Sequence, residues 1–117
     1  MFQSIVRGLV CFLIWPLLAS AGGCPETTLV VVNARSALSA RIANEYMQLR
    51  NIPDTHLLWL DGVPSMGVMS IEDFRNKIWS PIRDFMHSHQ LDEEIDLIAY
   101  SSDFPYAVDF SSDIKAR

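Results

Sequence analysis

The stretch from Thr28 to Ser36, Thr-Leu-Val-Val-Val-Asn-Ala-Arg-Ser, passes from an unbroken aliphatic run straight into a helical period. Leu29 to Val32 shows no polar alternation, so as a strand it needs apolar cover on both faces, as the interior strand of a parallel sheet has. The helix behind it supplies one of those covers, as in a βα unit. The chain is therefore expected to be α/β: a three-layer β-α-β-α-β start of an open parallel sheet.

What precedes this stretch reads as a targeting segment. Met1 to Ala21 carries one charge, Arg7, then an apolar run from Leu9 to Leu18, then the small residues Ala19-Ser20-Ala21 that suit signal peptidase. The apolar run is about half the roughly 20 residues needed to cross a bilayer, and Pro16 interrupts it. The reading is a secretory signal at residues 1–21, an exported mature chain, and no transmembrane segment after cleavage. Removing 21 of the 117 residues leaves one small domain, one unit more negative than the full chain's −5. A domain this small buries only about 60–65% of its unfolded surface, which leaves a thin margin of stability. An acidic chain with no Lys/Arg cluster argues against nucleic acid as a partner. Cys11 falls in the signal, so Cys24 stands alone and no internal disulfide forms. Gly22-Gly23-Cys24 also has a loose likeness to a lipoprotein processing site, although the usual Leu three residues before the cysteine is missing.

Residues 22–27 form a short lead-in to a domain spanning 28–117. Ser36 is placed to cap a first helix, with Leu38, Ile42, Tyr46 and Leu49 along its apolar face and Arg41, Glu45 and Gln48 opposite. Asn51 suits a left-handed cap, and Ile52-Pro53 ends the helix. Leu57 to Leu60 is a second strand closed by Asp61-Gly62, and Val63 to Met69 is a loop. Ser70 caps a second apolar stripe, Ile71, Phe74, Ile78, Ile82 and Phe85. Pro81 within that stripe allows two readings: one kinked helix, or a fresh start capped by Ser80. Asp92-Glu93-Glu94 makes an acidic turn before a third strand, Ile95 to Tyr100. Trp59, Trp79, Phe74 and Phe85 are expected in the core. Beyond Tyr100 the pattern has no clear period, and its aromatics Phe104, Tyr106 and Phe110 are expected either to pack against a C-terminal remainder or to form a recognition surface. A β-α-β-α-β series normally continues, so the chain is expected to be a truncated part of a longer one.

Right-handed crossovers bring the ends of all three strands to one edge. That edge carries Asn33, Arg35, Ser36, Asp61, Ser101, Ser102 and Asp103, the candidate ligand-binding set, at the position where open α/β sheets bind ligands. The plainer reading gives Ser36 only a cap, Asp61 only a turn and Arg35 only solvent. Specific chemistries fit poorly. Asn33-Ala34-Arg35-Ser36 has no glycine to let backbone approach a phosphate, so no dinucleotide or P-loop site is expected. A phospho-receiver would need acids where Asn33 and Ser101 stand. Tyr100-Ser101-Ser102-Asp103-Phe104 lacks the small residues of a nucleophile elbow. His87 and His89, two apart on a helix, point to different sides. Asp103, Asp109 and Asp113 are carboxylates of a type that binds Ca²⁺, without its spacing. Cys24 has no histidine close in sequence and makes a poor nucleophile. No catalytic residue, metal or cofactor is assigned.

The runs Val31-Val32-Asn33-Ala34-Arg35-Ser36, Leu49-Arg50-Asn51-Ile52-Pro53, Leu60-Asp61-Gly62-Val63-Pro64 and Ala99-Tyr100-Ser101-Ser102-Asp103-Phe104-Pro105 resemble the N-terminal region of a family of exported bacterial proteins of unknown activity. Members of that family are longer, which implies that the chain is one part of a longer protein; with no activity to carry over, the reading is an exported binding or scaffold module. The order of strand, helix, Asn-Ile-Pro turn, strand, helix and strand is also similar in pattern to the start of gingipain-type cysteine peptidases, whose fold is caspase-like. That likeness implies the inactive front half of a hydrolase, because the family's catalytic His and Cys follow later strands. A flavodoxin-like order is the other form such a sheet can take.

Overall fold

The computed structural model describes residues 23–116. The signal reading, the cut after Ala21 and Cys11 lie outside them. A 3₁₀ turn, Pro25–Thr27, leads into β1, Thr28–Asn33. There follow α1 (Ala37–Arg50), a 3₁₀ turn (Asp54–His56), β2 (Leu57–Leu60) and β3 (Val68–Ser70). Next come α2 (Ile71–Phe74), a π turn (Arg75–Trp79) and α3 (Ser80–Ser88), then β4 (Leu97–Tyr100), β5 (Ala107–Asp109) and α4 (Ser111–Lys115).

The architecture is α/β with parallel strands in open sheets. β1 lies at the centre of the order β2-β1-β4, parallel to both neighbours. Every residue of β1 is buried. Successive side chains of a strand point to opposite faces, so Leu29 and Val31 enter one core while Val30 and Val32 enter the other. The first core is closed by Ile78 and Ile82, the second by Ala43 and Met47 of α1. Helices therefore cover both faces, as right-handed crossovers running in opposite directions from a central strand require.

Pro81 sits in an unbroken helical path. Ser80 has helical angles (φ −61°, ψ −46°), so it does not begin a new helix, and its N–H bonds the Arg75 carbonyl five residues back. Proline has no N–H and its ring crowds the carbonyl four residues earlier. A widened π turn just before it moves that carbonyl aside without shifting the stripe of Ile78 and Ile82. The cap expectations hold: Ser36 accepts the Ser39 N–H, Ser70 accepts the Asp73 N–H, and Asn51 is left-handed at φ 53°.

Three expectations are corrected. The Val63–Met69 segment is not all loop, because Val68–Ser70 pairs in parallel with Ala107–Asp109 as a second, two-stranded sheet. Both strands are three residues long, too short for a period to register. The face of α1 turned to the sheet is Ser39, Ala43 and Met47, while Leu38 (52%), Ile42 (40%) and Leu49 (83%) remain exposed. Small side chains at Ser39 and Ala43 let the helix axis come close to β1, and that approach rotates the larger residues outward. Trp59 and Trp79 are exposed rather than core. Trp59 shares the α1 side of β2 with Leu57, but β2 is an edge strand and α1 is centred over β1.

Ile82 is fully buried, so Ile82→Ala is expected to cost about 2–5 kcal/mol in urea unfolding. Leu49→Ala, the larger change by sequence pattern, is expected to stay within about 0.5 kcal/mol. Equal losses at the two positions would contradict this packing.

Candidate functional site

The C-terminal ends of β1, β2 and β4 meet, and Asn33 is the residue around which they meet. As the last residue of β1 it is 1% exposed, and its side chain spends its donors on both flanking loops. Nδ2 donates to the Val63 carbonyl (3.2 Å), after β2, and to the Asp103 carbonyl (2.7 Å), after β4. Oδ1 accepts the Arg35 N–H (3.0 Å), which folds the chain back toward α1. Both amide hydrogens and an acceptor site are thus satisfied in a place water does not reach.

A second layer joins α1 to the same loops. The Asn33 N–H donates to Ser39 Oγ (3.1 Å), and Ser101 Oγ donates to the Ser39 carbonyl (2.6 Å). Ser36 Oγ accepts the Ser39 N–H (3.0 Å) as helix cap and donates its own proton to the Asp103 carboxylate. Asp103 holds φ 62°, a left-handed conformation that costs a non-glycine residue about 1 kcal/mol. Its carbonyl bond to Asn33 and its carboxylate bond to Ser36 fix that turn. The carboxylate also lies beside the N-terminus of α1, where the helix dipole favours a negative charge.

Arg35 and Asp61 form the outer rim. Arg35 Nε lies 3.0 Å from Asp61 Oδ1, both side chains largely exposed. The Arg35 hydrogen bond, the Gly62 N–H and the Arg35 charge together hold the Asp61 carboxyl below its ordinary value. Gly62 makes this turn at φ 73°, in the region that favours glycine. Ser102 Oγ is buried and has no partner among the described residues.

All seven residues singled out from the sequence therefore lie at one end of the sheet. Asn33, Ser36, Ser101 and Asp103 are joined in a single network, Arg35 and Asp61 pair at its rim, and Ser102 adds no bond. Sequence reading missed Ser39, the residue that receives bonds from both β1 and the loop after β4. Its signal is the small-residue spacing Ser39, Ala43, four apart like Met47 beyond, which marks the close side of the helix. The other candidates separate. Asp109 accepts from the N–H and hydroxyl of Ser111, and Asp113 pairs with Arg75 at 2.6 Å, so the three aspartates do not converge on a cation. His87 faces Asp92 at 3.2 Å and His89 stacks on Phe85, both at the exposed end of α3. Cys24 is exposed before the opposite end of β1, where the buried His56 ring bonds the Thr28 carbonyl. Among the described residues no three His, Cys, Asp or Glu side chains group as a metal site.

Chemically, this arrangement fastens. The Ser36 and Ser101 hydroxyls each donate to an oxygen acceptor, and no imidazole lies among the network's hydrogen-bond partners. No family model, curated protein or solved structure matches the chain.

Asn33→Ala strands two loop carbonyls and is expected to cost about 2–3 kcal/mol by chemical denaturation. Arg35→Ala should change stability little, because the pair is solvated, but should raise the Asp61 carboxyl toward its ordinary range in an NMR titration, the Gly62 N–H alone still holding it down. A carboxyl depressed in the folded state contributes stability above its ordinary value of 3.8 and loses it as pH falls through the lower folded value. That acid-side step should be smaller in Arg35→Ala.

Proposed function

We propose that the protein is an exported bacterial binding or scaffold domain without catalysis of its own, part of a longer chain. One observation carries the non-catalytic reading: the polar groups at the strand ends, where such sheets place chemistry, are bonded to one another, the Ser102 hydroxyl excepted. A carboxylate of the chain, Asp103, sits beside the α1 N-terminus that would otherwise favour an anionic ligand. Export rests on the short apolar segment ending at Ala19-Ser20-Ala21. Among the described residues no helix is long and apolar enough to cross a membrane.

The longer chain rests on the region after β4. Tyr106 (76%), Phe110 and Ile114 (72%) are exposed along β5 and α4, whose short helix is anchored back to α2 and the π turn through Glu72–Ser112 and Arg75–Asp113. Large apolar side chains held on a fixed backbone suit packing against further structure.

A second reading, the inactive front half of a caspase-like hydrolase, draws on the order β2-β1-β4 with the first strand central. A flavodoxin-like sheet has the same order, so the first reading is preferred.

The test is turnover by the full protein on peptide, ester and phosphate-ester substrates, with Asp103→Asn and Ser36→Ala beside the wild type. No activity sensitive to either change is expected. Turnover abolished by Asp103→Asn in a protein that still melts cooperatively would overturn the non-catalytic reading. N-terminal sequencing of the exported protein is expected to begin at Gly22.

A further inference from the structure

The cleft between the outer flank of α1 and β2 holds polar groups that the fold does not use. Its volume is about 500 Å³, and one wall is made by Asn44, Gln48 and Asn51. These residues stand at spacings of four and three, so they form one line of carboxamides about 10 Å long down the helix. All three are exposed, and no carboxamide of the line bonds another group among the described residues. At the strand ends, by contrast, Asn33 spends both its amide hydrogens on the fold. Met47 and Leu57 give the cleft an apolar floor, and Asp54, in the 3₁₀ turn before β2, adds one carboxylate.

Trp59 follows Leu57 on the same side of β2, roughly 6.5 Å further along the strand, and is exposed. It is in register with Val32, which shares a core with Ala43, the residue before Asn44. The indole thus continues the β2 wall past the upper carboxamide. The sheet order keeps this flank clear of further strands. β4 lies on the far side of β1 from β2, so strands added past β4 would extend the sheet away from the cleft.

The lining selects a class of ligand. Among the described residues no Lys or Arg lines the cleft, and its one charge is negative. An anionic ligand would face Asp54 with no cation to offset the repulsion. A wholly apolar ligand would strip water from three carboxamides and leave them unpaired. A carboxamide both donates and accepts, as a hydroxyl does, while an indole offers a broad apolar face. A molecule with hydroxyls along its edge and C–H groups on a flat face answers both, and that is the chemistry of a neutral sugar ring. We propose that the cleft binds a neutral oligosaccharide, with Trp59 stacked on one ring and Asn44, Gln48, Asn51 and Asp54 bonding hydroxyls along the chain. The site lies apart from the strand-end network, so turnover at the strand ends would overturn the non-catalytic reading and leave this inference standing.

The test is calorimetric titration of the purified full protein with cellotetraose, maltotetraose, xylotetraose and mannotetraose, with tetragalacturonate as the charged control and tryptophan emission followed in parallel. Asn44→Ala, Gln48→Ala and Trp59→Ala are the variants. The first two are exposed helix positions where alanine favours the helix, so they report on the cleft whatever Trp59→Ala does to folding. At least one neutral tetrasaccharide is expected to bind with Kd below about 10 mM and to move the emission to shorter wavelength. Affinity should fall about threefold or more in each carboxamide variant, as loss of a neutral hydrogen bond gives. It should fall further in Trp59→Ala, where the emission change disappears. No binding by any of the four overturns the proposal. Binding that both carboxamide variants retain in full, or a preference for tetragalacturonate, overturns it equally.

Discussion

The Asn33 carboxamide is the interaction on which the upper end of this molecule depends. A parallel sheet leaves the loops at its strand ends with unpaired backbone groups, and each must find a partner or reach water. One buried side chain at the end of the central strand meets that need for the loops on both sides, bonding Val63 and Asp103 while steering the chain at Arg35 into α1. Aspartate is nearly the same shape but lacks the two donors, so it would face the same carbonyls with a negative charge. The residue type is therefore set by the geometry of three converging strand ends.

β1 was legible because its demand is extreme. An uninterrupted apolar run followed at once by a helix has few other places in a fold, and both faces of Leu29 to Val32 are buried as that pattern requires. The caps at Ser36, Ser70 and Asn51 were legible because each is a local backbone event decided within four residues. The location of the candidate set followed from topology alone, since parallel strands must end on the same side. What the sequence did not disclose was distance. Apolar periodicity marks which side chains of α1 prefer to leave water; it does not say how near the helix lies to the sheet. Ser39 and Ala43 decide that by being small, and the wide stripe of Leu38, Ile42 and Leu49 then falls beyond the strand it was expected to cover.

The second sheet was hidden for a different reason. β3 and β5 are three residues each and lie nearly 40 positions apart, so neither has a period long enough to stand out and their pairing depends on tertiary structure already formed. The π turn was half visible: Pro81 announced a disturbance, while the intact spacing of Ile78 and Ile82 announced continuity. A helix that widens by one residue just before the proline satisfies both signals, and neither a sharp kink nor a new start does so as well.

The Asp103 turn connects this architecture to function. A left-handed backbone at a non-glycine residue persists only where its surroundings hold it, and here the hold comes from the carbonyl bond to Asn33 and the carboxylate bond to the Ser36 cap. The same contacts bring a negative charge to the start of a 14-residue helix, between the central strand and its β4 neighbour. In sheets of this kind that crevice is where strand order changes direction and where a ligand's charge usually meets the helix dipole. With an internal carboxylate there, an anionic ligand would have to displace Asp103, break the Ser36 bond and release a turn that is unfavourable without it. Those linked costs oppose anion binding at the strand ends and make the crevice a structural clasp.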